Sequence, residues 1–239
     1  METSQNAAIY QALTLANKPV TLDYKGVYVL DVSKDSTFKG ALNLADTVTG
    51  VNDKQFKSST ELVDYVSHLK LGDKVTVQFM SDSQPKSETG RIIKLKNGKN
   101  GIGIALTDHT KVRSEDKIAF STQGVGGPSA GLMFTLDIYD QIVKEDLRKG
   151  RIIAGTGTIG KHGEVGDIGG AGLKVVAAAE AGAEIFFVPN NPVDKALKKT
   201  HPKAISNYEE AKRAAKQLKT KMKIVPVTNV QEALAYLRK

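Results

Sequence analysis

Cysteine and tryptophan are both missing from the chain. Without a thiol there is no cysteine nucleophile, no disulfide and no cysteine-ligated metal, although this does not choose between the cytosol and the cell exterior. Aromatic residues amount to 6%, too few for the stacking platforms that single-stranded nucleic acids use. That scarcity bears on the charge, which is formally +8 from 34 Lys and Arg against 26 Asp and Glu. The basic side is mostly lysine, densest between Lys195 and Lys223, with neither arginine forks nor a recognisable reading element. It reads as a solubilising surface or a contact with an anionic envelope, and nucleic acid is not an expected partner. No uninterrupted apolar run reaches membrane-spanning length, and no basic, apolar and small-residue series marks a signal peptide. The chain is expected to be soluble, or to be a soluble part released from an anchor.

What is present suffices for real cores. The chain has 239 residues and 40% apolar content, enough for one large domain or two smaller ones without a metal or disulfide staple. Residues 1–20 carry Ala7, Ala8, Ile9, Leu13, Leu15 and Ala16 ahead of Pro19 and predict a short helical leader. Lys25 to Val32 alternates as a strand, and Ser58 with Glu61 has the spacing of a capping box that starts a helix over 59–69. Strands follow at 74–80 and 87–95, closed by an Asn97-Gly98 turn. A further strand at 101–106 precedes a helix from Ser129 to Val143. Beyond it come a strand at 151–154, a glycine-punctuated segment to Gly170 and a small-residue helix over 171–181. The remainder alternates as strand 184–188, helix 208–218, strand 223–227 and helix 231–237. The pattern predicts a small mixed α+β domain over 21–97 and a larger α/β domain over 99–239.

One stretch, Gly124-Val-Gly-Gly-Pro-Ser-Ala-Gly131, presents a serine between glycines and runs into an apolar helical pattern. It is either an active-site turn that exposes the Ser129 hydroxyl at a helix start, or a glycine-rich connection before an ordinary helix. It is not a Gly-x-Ser-x-Gly elbow, because Pro128 precedes the serine, and it lacks the lysine and hydroxyl order of a phosphate-binding loop. Gly155-Thr-Gly-Thr-Ile-Gly160 fits the dinucleotide pattern as a string and follows a strand. The fingerprint needs a helix to open at once toward the pyrophosphate, whereas Lys161 to Gly170 continues as turn and extended chain, so no nucleotide cofactor is expected. His68, His109, His162 and His201 have no metal-ligand spacing, and no metal is expected. A nucleophilic Ser129 needs a base. Lys174 stands at the start of a helix rich in small and apolar residues, surroundings that favour the neutral amine a base requires. Taken alone it is equally an ordinary lysine at a helix start.

The ordered set Gly126-Gly-Pro-Ser-Ala-Gly131, Gly155-Thr-Gly-Thr-Ile159, Gly163-Glu-Val-Gly-Asp-Ile-Gly-Gly170 and Lys174-Val-Val-Ala-Ala178 closely resembles the proteolytic domain of Lon-type (S16) serine peptidases. Residues 25–96 resemble a PDZ domain, with Gly40 to Asn52 matching its turn, helical corner and strand. Together they resemble the bacterial PDZ-Lon proteins that lack an ATPase domain and are anchored by an N-terminal transmembrane helix, facing outward. The resemblance implies a two-domain fold, a PDZ-like domain followed by a Lon-type proteolytic domain, in a serine endopeptidase with a Ser-Lys dyad. It needs no ATP or cofactor and cleaves secreted peptides or extracytoplasmic protein segments at the outer face of the cytoplasmic membrane. It makes Ser129 the nucleophile and Lys174 the general base. Main-chain N–H groups at Gly127 and Ser129 would receive the oxyanion, with Pro128, which has no N–H, contributing only its carbonyl side. Thr156 matches the threonine that orients the lysine, with Thr158 as its competitor. The PDZ-like part would bind an extended peptide or a terminal carboxylate by strand addition, with Gly26, Val27 and Tyr28 at or beside the binding edge. The alternative is a PDZ-centred binding or scaffold protein whose peptidase domain is inactive or cleaves only itself. Oligomerisation is left open.

Overall fold

The computed structural model describes residues 2–121, 127–143 and 145–239, with only the main chain at residues 195 and 196. In chain order the first elements are α1 (Glu2–Leu15), β1 (Val20–Val32), β2 (Thr47–Val51), α2 (Ser59–Ser67), β3 (Lys74–Ser81), β4 (Gln84–Arg91), the short strands β5 (Ile93–Lys94) and β6 (Asn100–Gly101), and β7 (Ile104–Ser114). A 3-10 turn (Pro128–Ala130) leads into α3 (Gly131–Val143), followed by β8 (Ile153–Gly155), β9 (Thr158–Ile159), β10 (Val165–Gly166) and α4 (Ala171–Glu180). The chain finishes with β11 (Ile185–Pro189), α5 (Lys195–Thr200), α6 (Asn207–Leu218), β12 (Lys223–Val227) and α7 (Val230–Arg238).

The chain forms two compact units, Leu22–Lys111 and a second made of Met1–Thr21 with Val112–Lys239. The first boundary falls within a residue of the one expected from sequence, and the second moves from residues 97–99 to 111–112. The strand over 101–106, assigned to the second domain, falls in the first unit, where Gly101 ends β6 and residues 104–106 start β7 of the five-stranded sheet. The leader is not a separate piece, because α1 buries Ala8, Ala12 and Leu13 completely in the core of the second unit. Its buried positions Ser4, Ala8 and Ala12 recur every four residues. Such a stripe of small side chains lets one helix approach another closely, and here the partner is α3.

The first unit is a five-stranded sheet in the order β4-β3-β2-β1-β7. Strict alternation along β3 turns Val75, Val77 and Phe79 inward, where they meet Val27, Val29, Val48 and, from α2, Leu62 and Val66. The predicted Ser58 cap is present, its hydroxyl accepting the Glu61 N–H at 3.2 Å. Edge strand β4 is almost wholly exposed and carries Pro85, Lys86 and Glu88, residues that discourage a further strand from pairing there.

In the second unit, β8, β11 and β12 form a parallel sheet in the order β12-β11-β8. Central strand β11 is buried at every position, as expected for a parallel strand covered on both faces. Phe187 faces a core shared with α1, α3 and α7, and Phe186 one shared with α4 and α6. The glycine-punctuated segment is the β9–β10 hairpin, with His162 at its tip. Among the described residues no helix is long and apolar enough to cross a membrane.

Candidate active site

Ser129 is the middle residue of the 3-10 turn that opens α3, half-buried, after Gly127 at φ +88°. That positive φ is one an L side chain adopts only under strain, which accounts for glycine there. The upstream part of the glycine stretch, including Gly124 and Gly126, lies outside the described residues. The carbonyl of Ser129 accepts the Gly157 N–H at 2.8 Å and the Thr156 hydroxyl at 3.1 Å, while Leu132 N–H returns to the Gly157 carbonyl at 3.0 Å. The turn is thus stitched to the segment leaving β8.

This stitching explains the glycines of the 155–160 string. A Cβ on Gly155 would lie 2.7 Å from the Met133 sulfur and 3.0 Å from Phe187 Cβ, and one on Gly157 2.5 Å from Val165. They are close-approach positions between β8, α3 and the hairpin. No helix opens after them, since β9 follows.

Lys174 sits in the first turn of α4, half-buried, with its Nζ 3.3 Å from Ser129 Oγ. The helix starts after Gly170 in a left-handed conformation (φ 69°). It is held from outside by α6. Asn207 exchanges two hydrogen bonds with the main chain of Ile168, 2.8 and 2.9 Å, and Glu210 accepts the Gly172 N–H at 3.0 Å. Sequence reading missed both residues. The Ser206–Glu209 capping box fixes where α6 begins, but which exposed-looking polar side chains reach back to 168–172 depends on the packing of α4 against α6.

The structure therefore brings Ser129 and Lys174 together across 45 positions. Thr156 is only 2% exposed, and its hydroxyl goes to the Ser129 carbonyl rather than to the lysine amine. Thr158 lies in β9 against Gly166, where a Cβ would come within 2.2 Å of its hydroxyl oxygen. Pro128 turns its carbonyl to the Ser4 hydroxyl at 3.1 Å. The serine N–H is in the first turn of a 3-10 helix, where N–H groups have no intrahelical acceptor and are available to an incoming anion.

The residues expected at or beside the peptide edge lie one strand in from it. Gly26, Val27 and Tyr28 lie in β1, which is paired on one side with β2 (Val27 opposite Val48, Tyr28 opposite Thr47) and on the other with β7. Its backbone groups are spent inside the sheet, so it cannot accept an added strand. Gly26 serves close strand packing, since a Cβ there would fall 2.2 Å from the Val48 carbonyl oxygen. Tyr28 stacks on His109 at a 3.9 Å centroid separation. The two ring nitrogens of His109 meet the hydroxyls of Tyr28 and Thr47 at 2.9 and 2.8 Å. The sheet ends instead at β4 and β7. β7 runs beside α2, whose Ser59 N–H donates to the Asp108 carboxylate at 2.8 Å. Tyr24, on neighbouring β1, has a buried hydroxyl without a hydrogen-bond partner among the described residues. Burial pushes its phenol well above the usual range, with Asp108 and Glu61 adding to the effect.

Two family descriptions match the chain. The PDZ domain matches residues 11–89, and the Lon protease (S16) C-terminal proteolytic domain matches residues 118–238. The chain is 29% identical over 110 residues to the Lon protease of Neorickettsia sennetsu, covering 46% of this chain and 11% of that one. It is 30% identical over 108 residues to the Lon protease of Trichlorobacter lovleyi, covering 45% and 11%. The chain thus spans about a tenth of the length of these relatives. Among solved structures, it is similar to the PDZ domain of the SdrC-like protein from Listeria monocytogenes, with 33% identity, TM-score 0.33, and 35% of this chain and 88% of that one covered.

Proposed function

Because the chain belongs to the Lon protease (S16) C-terminal proteolytic domain family and carries a PDZ domain match before it, we propose that it is a serine endopeptidase that works without ATP through a Ser129–Lys174 dyad. The observation that carries this reading is the 3.3 Å approach of the Lys174 amine to the Ser129 hydroxyl. A neutral amine at that distance takes the hydroxyl proton as Oγ attacks the peptide carbonyl carbon. Charge develops on the carbonyl oxygen and is received by main-chain N–H groups at Gly127 and Ser129. The lysinium gives its proton to the leaving amine. Neutral again, Lys174 takes a proton from water as the water oxygen attacks the acyl carbon, and returns it to Ser129 Oγ as the acyl–Oγ bond breaks.

Peptide recognition is assigned to the unit over Leu22–Lys111, and the chemistry to the unit formed by Met1–Thr21 and Val112–Lys239. Within the first, β7 is the edge for strand addition, with β1 beside it, because β7 ends the sheet while β4 is guarded by proline and charge. The substrates of this reading are extended peptides or unfolded segments outside the cytoplasm, met by a chain tethered at the outer face of the membrane through a segment beyond those described.

Cleavage of an unstructured peptide library by wild type, Ser129→Ala and Lys174→Ala tests the dyad. Either variant is expected to lose at least about a thousandfold in kcat, as when one member of a nucleophile–base pair is removed. Equal product formation by all three chains would sink the dyad, and no product from any of them would leave the PDZ-centred scaffold with an inactive peptidase domain as the function.

A further inference from the structure

We infer that Ser4, on the N-terminal helix, is a positioning residue that orients the Ser129 N–H for oxyanion binding. This rests on the reading of Ser129 as nucleophile. The Pro128 carbonyl and the Ser129 N–H belong to one planar peptide, and among the described residues no peptide bond is cis. In a trans peptide the two groups point in opposite directions, so whatever fixes the carbonyl fixes the N–H.

Two donors hold the Pro128 carbonyl. One is the Gly131 N–H, which closes the 3-10 turn itself. The other is the Ser4 hydroxyl, 3.1 Å away and 124 residues earlier in sequence. Ser4 is 5% exposed, so this hydroxyl has little water to bond instead. The turn's own hydrogen bond sets the curvature of the chain, whereas the Ser4 bond ties the tilt of that peptide plane to the docking of α1. Ser4 continues the Ala8 and Ala12 stripe pressed on α3, so the same packing that buries α1 delivers the hydroxyl.

Gly131 makes the approach feasible. A Cβ there would sit 3.1 Å from Ser4 Oγ and 2.9 Å from the Ile159 nitrogen. The peptides on both sides of Ser129 are then held from outside the turn, the preceding one by α1 and the following one by Thr156 and Gly157. Releasing the first lets the plane rock and carries the N–H away from where charge develops.

The test compares Ser4→Ala, Ser4→Thr and Gln11→Ala in the full chain. Gln11 also fastens α1, through a bond to the Lys161 carbonyl in the β9–β10 hairpin instead of to the turn, and so controls for weaker helix docking. Steady-state peptide cleavage is measured with the carbonyl carbon shift of Pro128 and the exchange rate of the Ser129 amide. Removing an oxyanion donor outright costs about 100- to 1000-fold in kcat, so loss of its alignment is expected to cost Ser4→Ala about tenfold with KM within about twofold. Its Pro128 carbonyl resonance moves and its Ser129 amide exchanges faster, while Ser4→Thr restores both and Gln11→Ala keeps wild-type kcat. Equal kcat in Ser4→Ala and Gln11→Ala, or an unmoved Pro128 resonance, would overturn the inference. If wild type cleaves no faster than Ser129→Ala, the peptidase reading fails, and the Pro128 and Ser129 resonances still decide whether Ser4 sets this peptide plane.

Discussion

Lys174 offers one amine on a flexible stem, and arginine in its place would keep the charge while losing the capacity to act as a base. Lys174→Arg is therefore expected to be as inactive in peptide cleavage as Lys174→Ala, and substantial activity in the arginine chain would argue against proton transfer by this residue. Thr156 is a different kind of contributor. Thr156→Val removes the donor to the Ser129 carbonyl in a buried site, at a cost of about 1 kcal/mol in stability by chemical denaturation, with kcat lowered more than KM raised. Unchanged kinetics would mean that Gly157 holds the carbonyl alone. That Ser129 and Lys174 meet was legible in the sequence because the glycine motifs around them occur in the order of the family they resemble, whereas their catalytic roles belong to the proposal. The target of the Thr156 hydroxyl was not, because its direction is set by where the end of β8 meets the start of α3. His109 was unreadable for the same reason, as its partners Tyr28 and Thr47 come from two other strands.

The helices and strands with strong periodicity fell where the pattern put them. α2, α3, α4, α6, β11 and β12 all lie within a few residues of their predicted spans. What periodicity cannot convey is partnership. The α1 pattern announced a helix and not that it belongs to a unit resumed after residue 111. Leu13→Ala, at a side chain with no exposure, is expected to destabilise that unit by about 2–5 kcal/mol in denaturant unfolding. A loss below 1 kcal/mol would mean that α1 is only loosely attached. At α6, Asn207→Ala frees the Ile168 main chain that leads into the Lys174 helix, and a kcat loss of about tenfold with a folded circular-dichroism spectrum is the expected result. Alternation marks a strand but not its neighbours, so sequence does not say that β1 lies one strand in from β7, which the boundary expected near residue 97 leaves in the second domain. A titration with an unstructured peptide should shift amides along 104–110 of β7 and in α2; shifts confined to β4 would move the edge again.

For the molecule as a whole, sequence spoke clearly about two folded parts and the first boundary, and poorly about the second, since that one falls inside the continuous strand β7. Its acid response also joins distant parts of one unit. The Arg238 guanidinium hydrogen-bonds Glu145 and holds its carboxyl below the usual carboxylate range. A carboxyl depressed in the folded state adds stability above its ordinary pKa, and that contribution is lost as pH falls through the lowered value. Melting temperature should accordingly drop less between pH 7 and strongly acidic pH in Glu145→Gln than in wild type, while parallel curves would show the pair to be inert. The proposal that unites these parts is nucleophilic attack by Ser129, and it is reached most directly by intact-mass and peptide mass spectrometry of the chain quenched during turnover of an activated peptide ester. The account predicts an acyl adduct on Ser129 in wild type and none in Ser129→Ala; an adduct on another residue, or undiminished turnover by Ser129→Ala, would contradict it.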